Sequence, residues 1–169
     1  MDTDLYGLDG LDSSSRMNTD GPGLLFFEWF RDEWRGLMGM KYEALTNQII
    51  QAFYVVYNTL GYGFLEKVYE NALLLELGKM GLQVDNQLPI TVYYHGQSVG
   101  EFFADLVVND LVIVELKAAP TLLNEHEAQL LNYLNATSSE VGLLLNFGPK
   151  PQIKRKVFDN QHKHYRPKQ

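Results

Sequence analysis

One apolar run, Val112-Ile113-Val114-Glu115-Leu116-Lys117, ends in two charged residues. Its β-branched and almost uninterrupted apolar composition is typical of a strand covered on both faces, so we expect it at the centre of a sheet. Glu115 and Lys117 are two residues apart, and their side chains therefore leave the same face of the strand. Because an unpaired buried charge is costly, they form either a buried ion pair or part of a functional site.

An acid on the preceding strand, Asp105, favours the functional interpretation. Two or three carboxylates around one point form a hard oxygen site suited to Mg²⁺ or Mn²⁺, and an adjacent lysine can orient water or offset charge on a phosphate. Such a set of groups is suited to the hydrolysis of phosphodiester bonds. A two-residue turn at Asn109-Asp110 would pair Asp105 with Val114 and point it away from Glu115. The hypothesis therefore requires a three-residue loop, a bulge or a strong bend.

The periodicity of the apolar residues predicts two helices, at 42–60 and 64–80, each ending at a glycine. The remaining elements are predicted as four or five strands and two helices. The strands are expected at 82–87, 90–94, 98–108, 111–117 and 141–147, and the helices at 124–135 and 153–158. This order predicts an α/β (α+β) fold, with a central mixed β-sheet flanked by helices on both faces.

Two of the predicted helices carry polar residues on one face. Glu66 lies near the start of the second helix, and Gln129 and Tyr133 share a face of the later helix with His126. Glu66 is either a site residue or an exposed first-turn acid favoured by the helix dipole. Gln129 and Tyr133 either line a site or belong to an ordinary helix surface.

Length and composition exclude several classes of protein. A chain of 169 residues that is 46% hydrophobic can bury the core of one domain. The absence of cysteine excludes disulfides, thiolate zinc sites, iron–sulfur clusters and a cysteine nucleophile, and it fits a cytoplasmic location. The apolar stretches are far shorter than the roughly 20 residues that span a bilayer, so no membrane partner is expected.

Charge is unevenly distributed along the chain. The formal net charge of -7 argues against a general nucleic-acid coat protein, because Lys and Arg hold phosphate backbones. Residues 41–149 contain four lysines and twelve acids, so the affinity of this part for DNA should be modest. The end of the chain is basic, and its residues either contact phosphates or form a solvated surface; the candidates are Lys150, Lys154, Arg155 and Lys156.

The chain is predicted to divide into three parts. Residues 1–38 form a disordered or accessory N-terminal extension, because the first 23 residues are rich in Asp, Gly and Ser and show no period. Residues 24–37 within this extension can form a helix with an aromatic face. Residues 39–160 form the folded domain, and residues 161–169 form a basic C-terminal tail.

Several motifs together resemble a known family. The segment Gly63-Phe64-Leu65-Glu66-Lys67-Val68-Tyr69 matches the signature of the GxxExxY protein family. Further segments are similar to blocks of that family: Tyr69-Glu70-Asn71-Ala72-Leu73, Ala104-Asp105-Leu106, Ile113-Val114-Glu115-Leu116-Lys117-Ala118 and His126-Glu127-Ala128-Gln129-Leu130-Leu131-Asn132-Tyr133-Leu134. The resemblance covers residues 45–158. It implies membership of the PD-(D/E)XK nuclease superfamily and a restriction-endonuclease-like core over residues 39–160.

The resemblance also implies roles for individual residues. Asp105 and Glu115 would be the metal ligands, Lys117 the catalytic lysine, and Glu66 the acid contributed by the first core helix. Gln129 and Tyr133 match the QxxxY motif of the RecB and lambda-exonuclease branch, in which the glutamine lies beside the metal site. Ala104 stands where the superfamily's name has proline.

These observations favour a Mg²⁺- or Mn²⁺-dependent nuclease that hydrolyses nucleic-acid phosphodiester bonds, with DNA favoured over RNA as substrate. Lys117 and Gln129 would assist the attack, and the basic residues near the C-terminus would contact phosphates. The alternative is a non-catalytic nuclease-fold module that binds a protein or a nucleic acid. A homodimer or a protein partner is compatible with either hypothesis.

Overall fold

The computed structural model describes residues 40–163, which contain one five-stranded sheet and three α-helices. In chain order the elements are α1 (Glu43–Leu60), α2 (Glu66–Lys79), β1 (Val84–Tyr94), β2 (Gln97–Val108), β3 (Val112–Lys117), α3 (Asn124–Ala136), β4 (Val141–Asn146), β5 (Gln152–Val157) and a 3₁₀ turn at Asn160–His162. The expected α+β class is confirmed.

The strands lie side by side in the order of the chain, from β1 at one edge to β5 at the other. β3 and β4 are parallel, and all other neighbours are antiparallel. Parallel neighbours need a crossover, and α3 provides it. β3 is the middle strand of the sheet, as its apolar composition predicted.

Helix α3 covers one face of the sheet. Leu130 and Leu134 of α3 belong to a buried cluster with Ile113 and Leu144. The helix approaches β4 so closely that a Cβ on Gly142 would lie 2.7 Å from Leu130 Cδ1. A side chain at this position would therefore force the Leu130 side chain to move.

Helices α1 and α2 meet the opposite face, where three aromatic rings pack together. Phe147, directly after β4, stacks on Tyr69 of α2 with ring centroids 4.2 Å apart. Its edge contacts Phe53 of α1, with centroids 4.6 Å apart. All three side chains are essentially inaccessible to solvent. The prediction of helices on both faces is confirmed.

The structure corrects two of the predicted elements. The segments 82–87 and 90–94 form one strand, β1, because β1 lies at the sheet edge, where Pro89 is tolerated without an N–H. The helix predicted at 153–158 is wrong, since Gln152–Val157 forms strand β5. Pairing with β4 satisfies the backbone of this segment, and that long-range partner outweighs its local helical pattern.

Some predictions lie outside the described residues. These concern the extension at 1–38, its aromatic helix at 24–37, and the tail beyond residue 163. Lys163, from the start of that tail, is buried, and its ammonium donates hydrogen bonds to the carbonyls of Thr137 and Ser139. Within residues 40–163, no helix has the length and apolar character needed to cross a membrane.

Candidate active site at the β2–β3 hairpin

The β2–β3 hairpin brings Asp105 and Glu115 to the same position in the sheet. Val108 pairs with Val112, so the loop contains three residues, 109–111. Continued along the strands, this register places Asp105 opposite Glu115. The loop length required by the two-carboxylate hypothesis is therefore present, and the two side chains lie on the same face.

Asp105 is fixed by the backbone of the opposite strand. The N–H of Leu116 donates a hydrogen bond of 2.8 Å to Asp105 Oδ2. Burial raises the pKa of Asp105, although this hydrogen bond and the charge of Lys117 oppose the increase. Asp105 is therefore partly desolvated, and a nearby cation would stabilise its charged form.

The surroundings of Glu115 disfavour the charged form of its carboxyl group. Its side chain is only 3% exposed, and Lys117 Nζ donates to Glu115 Oε1 at 2.7 Å. The other oxygen, Oε2, is buried and has no hydrogen-bond partner within residues 40–163. Burial and the nearby charge of Asp105 raise the pKa of Glu115 to about 7, against the opposing effect of Lys117.

Lys117 remains a cation in this environment. Burial acts to lower the pKa of its ammonium, but the hydrogen bond to Glu115 and the surrounding carboxylates raise it above its ordinary value. Those carboxylates include Glu66 and Asp105 as well as Glu115. The site thus contains one fixed positive charge among several acids.

Helix α2 contributes Glu66 at its first residue. Glu66 Oε1 accepts a hydrogen bond of 3.2 Å from the backbone N–H of Ala118, which directly follows β3. The negative charge of Glu66 also acts on Asp105, Glu115 and Lys117. The structure therefore places Glu66 beside the hairpin, at the end of β3.

Helix α3 contributes Gln129 and Tyr133. Gln129 Nε2 donates to Tyr133 Oη at 2.8 Å, one helical turn away. Burial raises the pKa of Tyr133, and the charges of Glu115, Lys117 and Asp105 also act on it. The Gln129–Tyr133 pair therefore lies within electrostatic range of the hairpin carboxylates. His126 instead caps the helix start, where its Nδ1 accepts from the N–H of Leu123.

Asn146, which the sequence analysis did not single out, fixes the chain after Lys117. Its side chain is fully buried, accepts a hydrogen bond from Ala119 N and donates one to Ala119 O, both at 2.9 Å. Next to it, Phe147 N–H donates to the carbonyl of Lys117 at 2.7 Å. A polar residue that ends the apolar run 141–145 was the signal that could have revealed this role.

Tyr69, the last residue of the Gly63–Tyr69 motif, holds the loop between α1 and α2. Its hydroxyl donates to the carbonyl of Gly61 at 3.0 Å and accepts from the N–H of Phe64 at 3.1 Å. Both bonds act on the segment that leads into Glu66. Tyr69 therefore positions the start of α2, and its ring belongs to the core.

A protein-family model matches most of the chain. The PD-(D/E)XK nuclease superfamily model matches residues 43–156, which is about two thirds of the chain. The chain belongs to the PD-(D/E)XK nuclease superfamily. Its five-stranded mixed sheet, with helices on both faces, is consistent with the restriction-endonuclease-like core of PD-(D/E)XK proteins.

Two further comparisons add little to the PD-(D/E)XK assignment. The chain is similar to a solved structure titled "Crystal structure of SSO0001", with 17% sequence identity and a TM-score of 0.46, covering 80% of this chain and 78% of that one. No curated protein matches the sequence. The superfamily assignment rests on the family model alone.

The donors of this candidate site suit a divalent cation. Within the described part of the chain, no group of three or more His, Asp or Glu side chains could hold a metal by itself. Two carboxylates are nevertheless a usual protein contribution for Mg²⁺, which keeps several water ligands. The buried Oε2 of Glu115, which has no hydrogen-bond partner among residues 40–163, is the atom that a cation would stabilise most. Asp105 and Glu115 therefore fit such an ion.

The basic residues expected to contact nucleic acid do not share one face of β5. Lys154 and Lys156 both form ion pairs with Glu127 of α3. Arg155, between them, instead donates to the carbonyl of Lys41 at 2.5 Å. Lys150 is exposed in the β4–β5 connection. Because side chains alternate along a strand, Arg155 lies on the opposite side of β5 from Lys154 and Lys156.

Proposed function

We propose that this chain hydrolyses phosphodiester bonds of nucleic acid, with DNA as the favoured substrate, at a metal site formed by Asp105 and Glu115. One observation carries the proposal: both carboxylates lie at one position of the hairpin, and the buried Glu115 Oε2 has no protein partner among the described residues. A bound Mg²⁺ or Mn²⁺ would supply a polarised water and offset charge on the phosphate. The superfamily membership supports a nuclease-like function in general.

Lys117 is assigned the role of orienting the attacking water and offsetting charge on the phosphate. Its ammonium is held by Glu115 Oε1, and its backbone is fixed through Phe147, so little reorganisation is needed. The alternative, a structural Glu115–Lys117 ion pair, accounts for the contact between them. It does not account for Asp105 on the same face, nor for the Glu115 oxygen that lacks a partner in the described part of the chain.

Gln129, Tyr133 and Glu66 are assigned supporting roles in the same reaction. The hydrogen bond from Gln129 to Tyr133 orients the glutamine amide, whose remaining groups can position water or substrate. This pair supports placement in the QxxxY branch. Glu66 adds negative charge beside the cation site, and with Gly63 and Tyr69 it supports assignment to the GxxExxY family.

Phosphate contacts are assigned to the basic residues of the β4–β5 region. Lys150 is exposed and available, whereas Lys154 and Lys156 must leave Glu127 to contact phosphate. The excess of acids over lysines in residues 41–149 makes the affinity for DNA modest, so a second copy or a protein partner would assist binding.

The experiment that tests the proposal measures cleavage and metal binding together. The full chain and an Asp105→Asn/Glu115→Gln variant are incubated with single-stranded and duplex DNA in Mg²⁺, Mn²⁺ or EDTA. The proposal expects cleavage by the wild type in either metal, none in EDTA, and none by the double variant. Calorimetry should detect Mn²⁺ binding to the wild type alone. Absence of both Mn²⁺ binding and cleavage in the wild type would leave the non-catalytic module as the better account.

A further inference from the structure

A cleft of about 500 Å³ lies between the β1–β2 hairpin and α3, and Gln129 and Tyr133 form part of its lining. Phe102 and Val92 form its sheet side, and α3 provides Gln129, Asn132, Tyr133 and Asn135. Its volume falls within the roughly 300–1,000 Å³ typical of ligand pockets. Since the charges of Glu115 and Asp105 act on Tyr133, a molecule bound in the cleft would lie near a phosphate held at those carboxylates.

The lining of the cleft suits a flat, neutral ligand with hydrogen-bonding edges. None of the described lining residues is Lys or Arg, and Glu125 provides a negative charge, so the cleft is unsuited to phosphate. Three amide side chains, those of Gln129, Asn132 and Asn135, offer donors and acceptors. The Oδ1 atom of Asn135 is buried without a hydrogen-bond partner within residues 40–163.

Phe102 provides an aromatic surface at the edge of this cleft. Its side chain is 49% exposed although it is apolar, and its ring centroid lies 6.1 Å from that of Tyr133. Gly100, two residues earlier on the same face, lies next to this ring, since a Cβ on Gly100 would be 3.4 Å from Phe102 Cε2. An exposed aromatic beside amide groups is the combination that binds unpaired bases by stacking and edge contacts.

We propose that the cleft binds an unpaired nucleobase stacked on Phe102, which makes single-stranded nucleic acid, or a frayed duplex end, the preferred substrate. This inference rests on the proposed nuclease function, because it places the phosphate beside that base at the Asp105–Glu115 site. A base in an intact duplex is stacked and paired on both sides and cannot enter the cleft without the cost of unstacking.

The test uses the full chain and a short DNA strand that carries the fluorescent base 2-aminopurine, alone or in a duplex, in buffer with Ca²⁺. Phe102→Leu removes the ring, and Phe102→Trp keeps an aromatic surface. Phe103→Leu is the matched control, since Phe103 is 48% exposed on the adjacent position but does not line the cleft. Circular dichroism confirms that each variant is folded.

The wild type should bind the single strand more tightly than the duplex. Phe102→Leu should weaken single-strand binding on the order of 10-fold, the loss expected for one stacked base. Phe102→Trp and Phe103→Leu should retain the wild-type affinity. Equal affinity for strand and duplex, or equal effects of Phe102→Leu and Phe103→Leu, would overturn the inference.

Cleavage in Mn²⁺ is measured on the same set to separate the two proposals. Single-strand binding that depends on Phe102 but is never followed by cleavage would support the base cleft and overturn the nuclease function. Cleavage that is unaffected by Phe102→Leu, on strand and duplex alike, would overturn the base cleft and leave the nuclease function standing.

Discussion

Across the β2–β3 hairpin, the backbone N–H of Leu116 donates a hydrogen bond of 2.8 Å to Asp105 Oδ2. This bond joins the acid of one strand to the residue between Glu115 and Lys117 on the next. It fixes the orientation of the Asp105 carboxylate relative to both charged neighbours without using its second oxygen. An amide at position 105 could accept the same bond, which allows the charge of Asp105 to be tested separately from its structural role.

Replacing Asp105 with asparagine should abolish Mn²⁺ binding while the fold is retained. The asparagine carbonyl can still accept from Leu116, so the free energy of unfolding should change by no more than about 1 kcal/mol. Loss of the negative charge removes a metal ligand and also lowers the pKa of Glu115, since the charge of Asp105 contributes to raising that pKa. Calorimetry with Mn²⁺ and thermal unfolding check both parts. Unchanged Mn²⁺ affinity would exclude Asp105 as a ligand.

The stability of the metal-free protein should decrease as the pH rises from about 5 to 7. The pKa of Glu115 is about 7 in the fold, against its ordinary value of 4.5, so the native state binds the extra proton in this range. The stabilisation is complete below the unfolded pKa and is lost as the pH passes the folded one. For this group the loss amounts to about 2 kcal/mol between pH 5 and 7, and Asp105, whose pKa is also raised, acts in the same direction.

Glu115→Gln is the control for this pH dependence. The variant carries no titrating group at position 115, so its free energy of unfolding should vary much less between pH 5 and 7. Urea denaturation at a series of pH values, in EDTA, measures both proteins. The same slope in wild type and variant would show that Glu115 is not the titrating group.

The two tyrosines of the sequence motifs should respond differently to loss of the hydroxyl. Tyr69→Phe removes two hydrogen bonds to the loop before α2 and should lower the free energy of unfolding by about 1–3 kcal/mol. Tyr133→Phe removes the partner of Gln129 and should reduce cleavage roughly 10–100-fold, as loss of a supporting hydrogen bond does at metal sites. Unfolding and kinetic measurements on both variants separate the roles. A stable Tyr69→Phe protein with impaired cleavage would reverse the assignment of Tyr69.

Glu127→Gln should strengthen DNA binding if Lys154 and Lys156 contact phosphates. The change releases both lysines from their ion pairs, and affinity should rise about 2–5-fold, in line with the ~0.4–1 kcal/mol of a partly exposed pair. Glu76→Gln, which breaks the exposed Glu76–Lys79 pair on α2, is the control. Fluorescence anisotropy at several salt concentrations makes the comparison. Equal DNA affinities of Glu127→Gln and Glu76→Gln would show that Lys154 and Lys156 do not contact the DNA.

Much of this fold was predictable because its strongest signals are local. The apolar run at 111–117 identified the central strand, and the periodicity at 42–60 and 124–135 identified two helices within one residue of their ends. The segment 153–158 was misassigned as a helix because its alternation is interrupted by three consecutive basic residues, and only pairing with β4 determines its conformation. The length of the loop between β2 and β3 could not be decided from the sequence for a similar reason, since register depends on the partner strand.

The types of residue in the candidate site could be predicted from the sequence, but the contacts around them could not. A lysine and acids within a buried strand are unusual enough to be noticed in a sequence. The two hydrogen bonds between Asn146 and Ala119 join residues far apart in the chain. The exposure of Phe102 depends on how α3 packs against the β1–β2 hairpin. Neither leaves a pattern that periodicity detects.

The most direct test of the central claim is the rate of Mn²⁺-dependent DNA cleavage by Lys117→Ala, measured in single turnover. We expect a rate at least ~100-fold below the wild type, as for loss of a group that acts in the transition state, with Mn²⁺ affinity retained. The fold should survive, because Glu115, whose pKa is about 7, can take up a proton once its partner is removed. A purely structural ion pair instead predicts destabilisation by roughly 3–5 kcal/mol. Wild-type cleavage by Lys117→Ala would contradict the proposed mechanism.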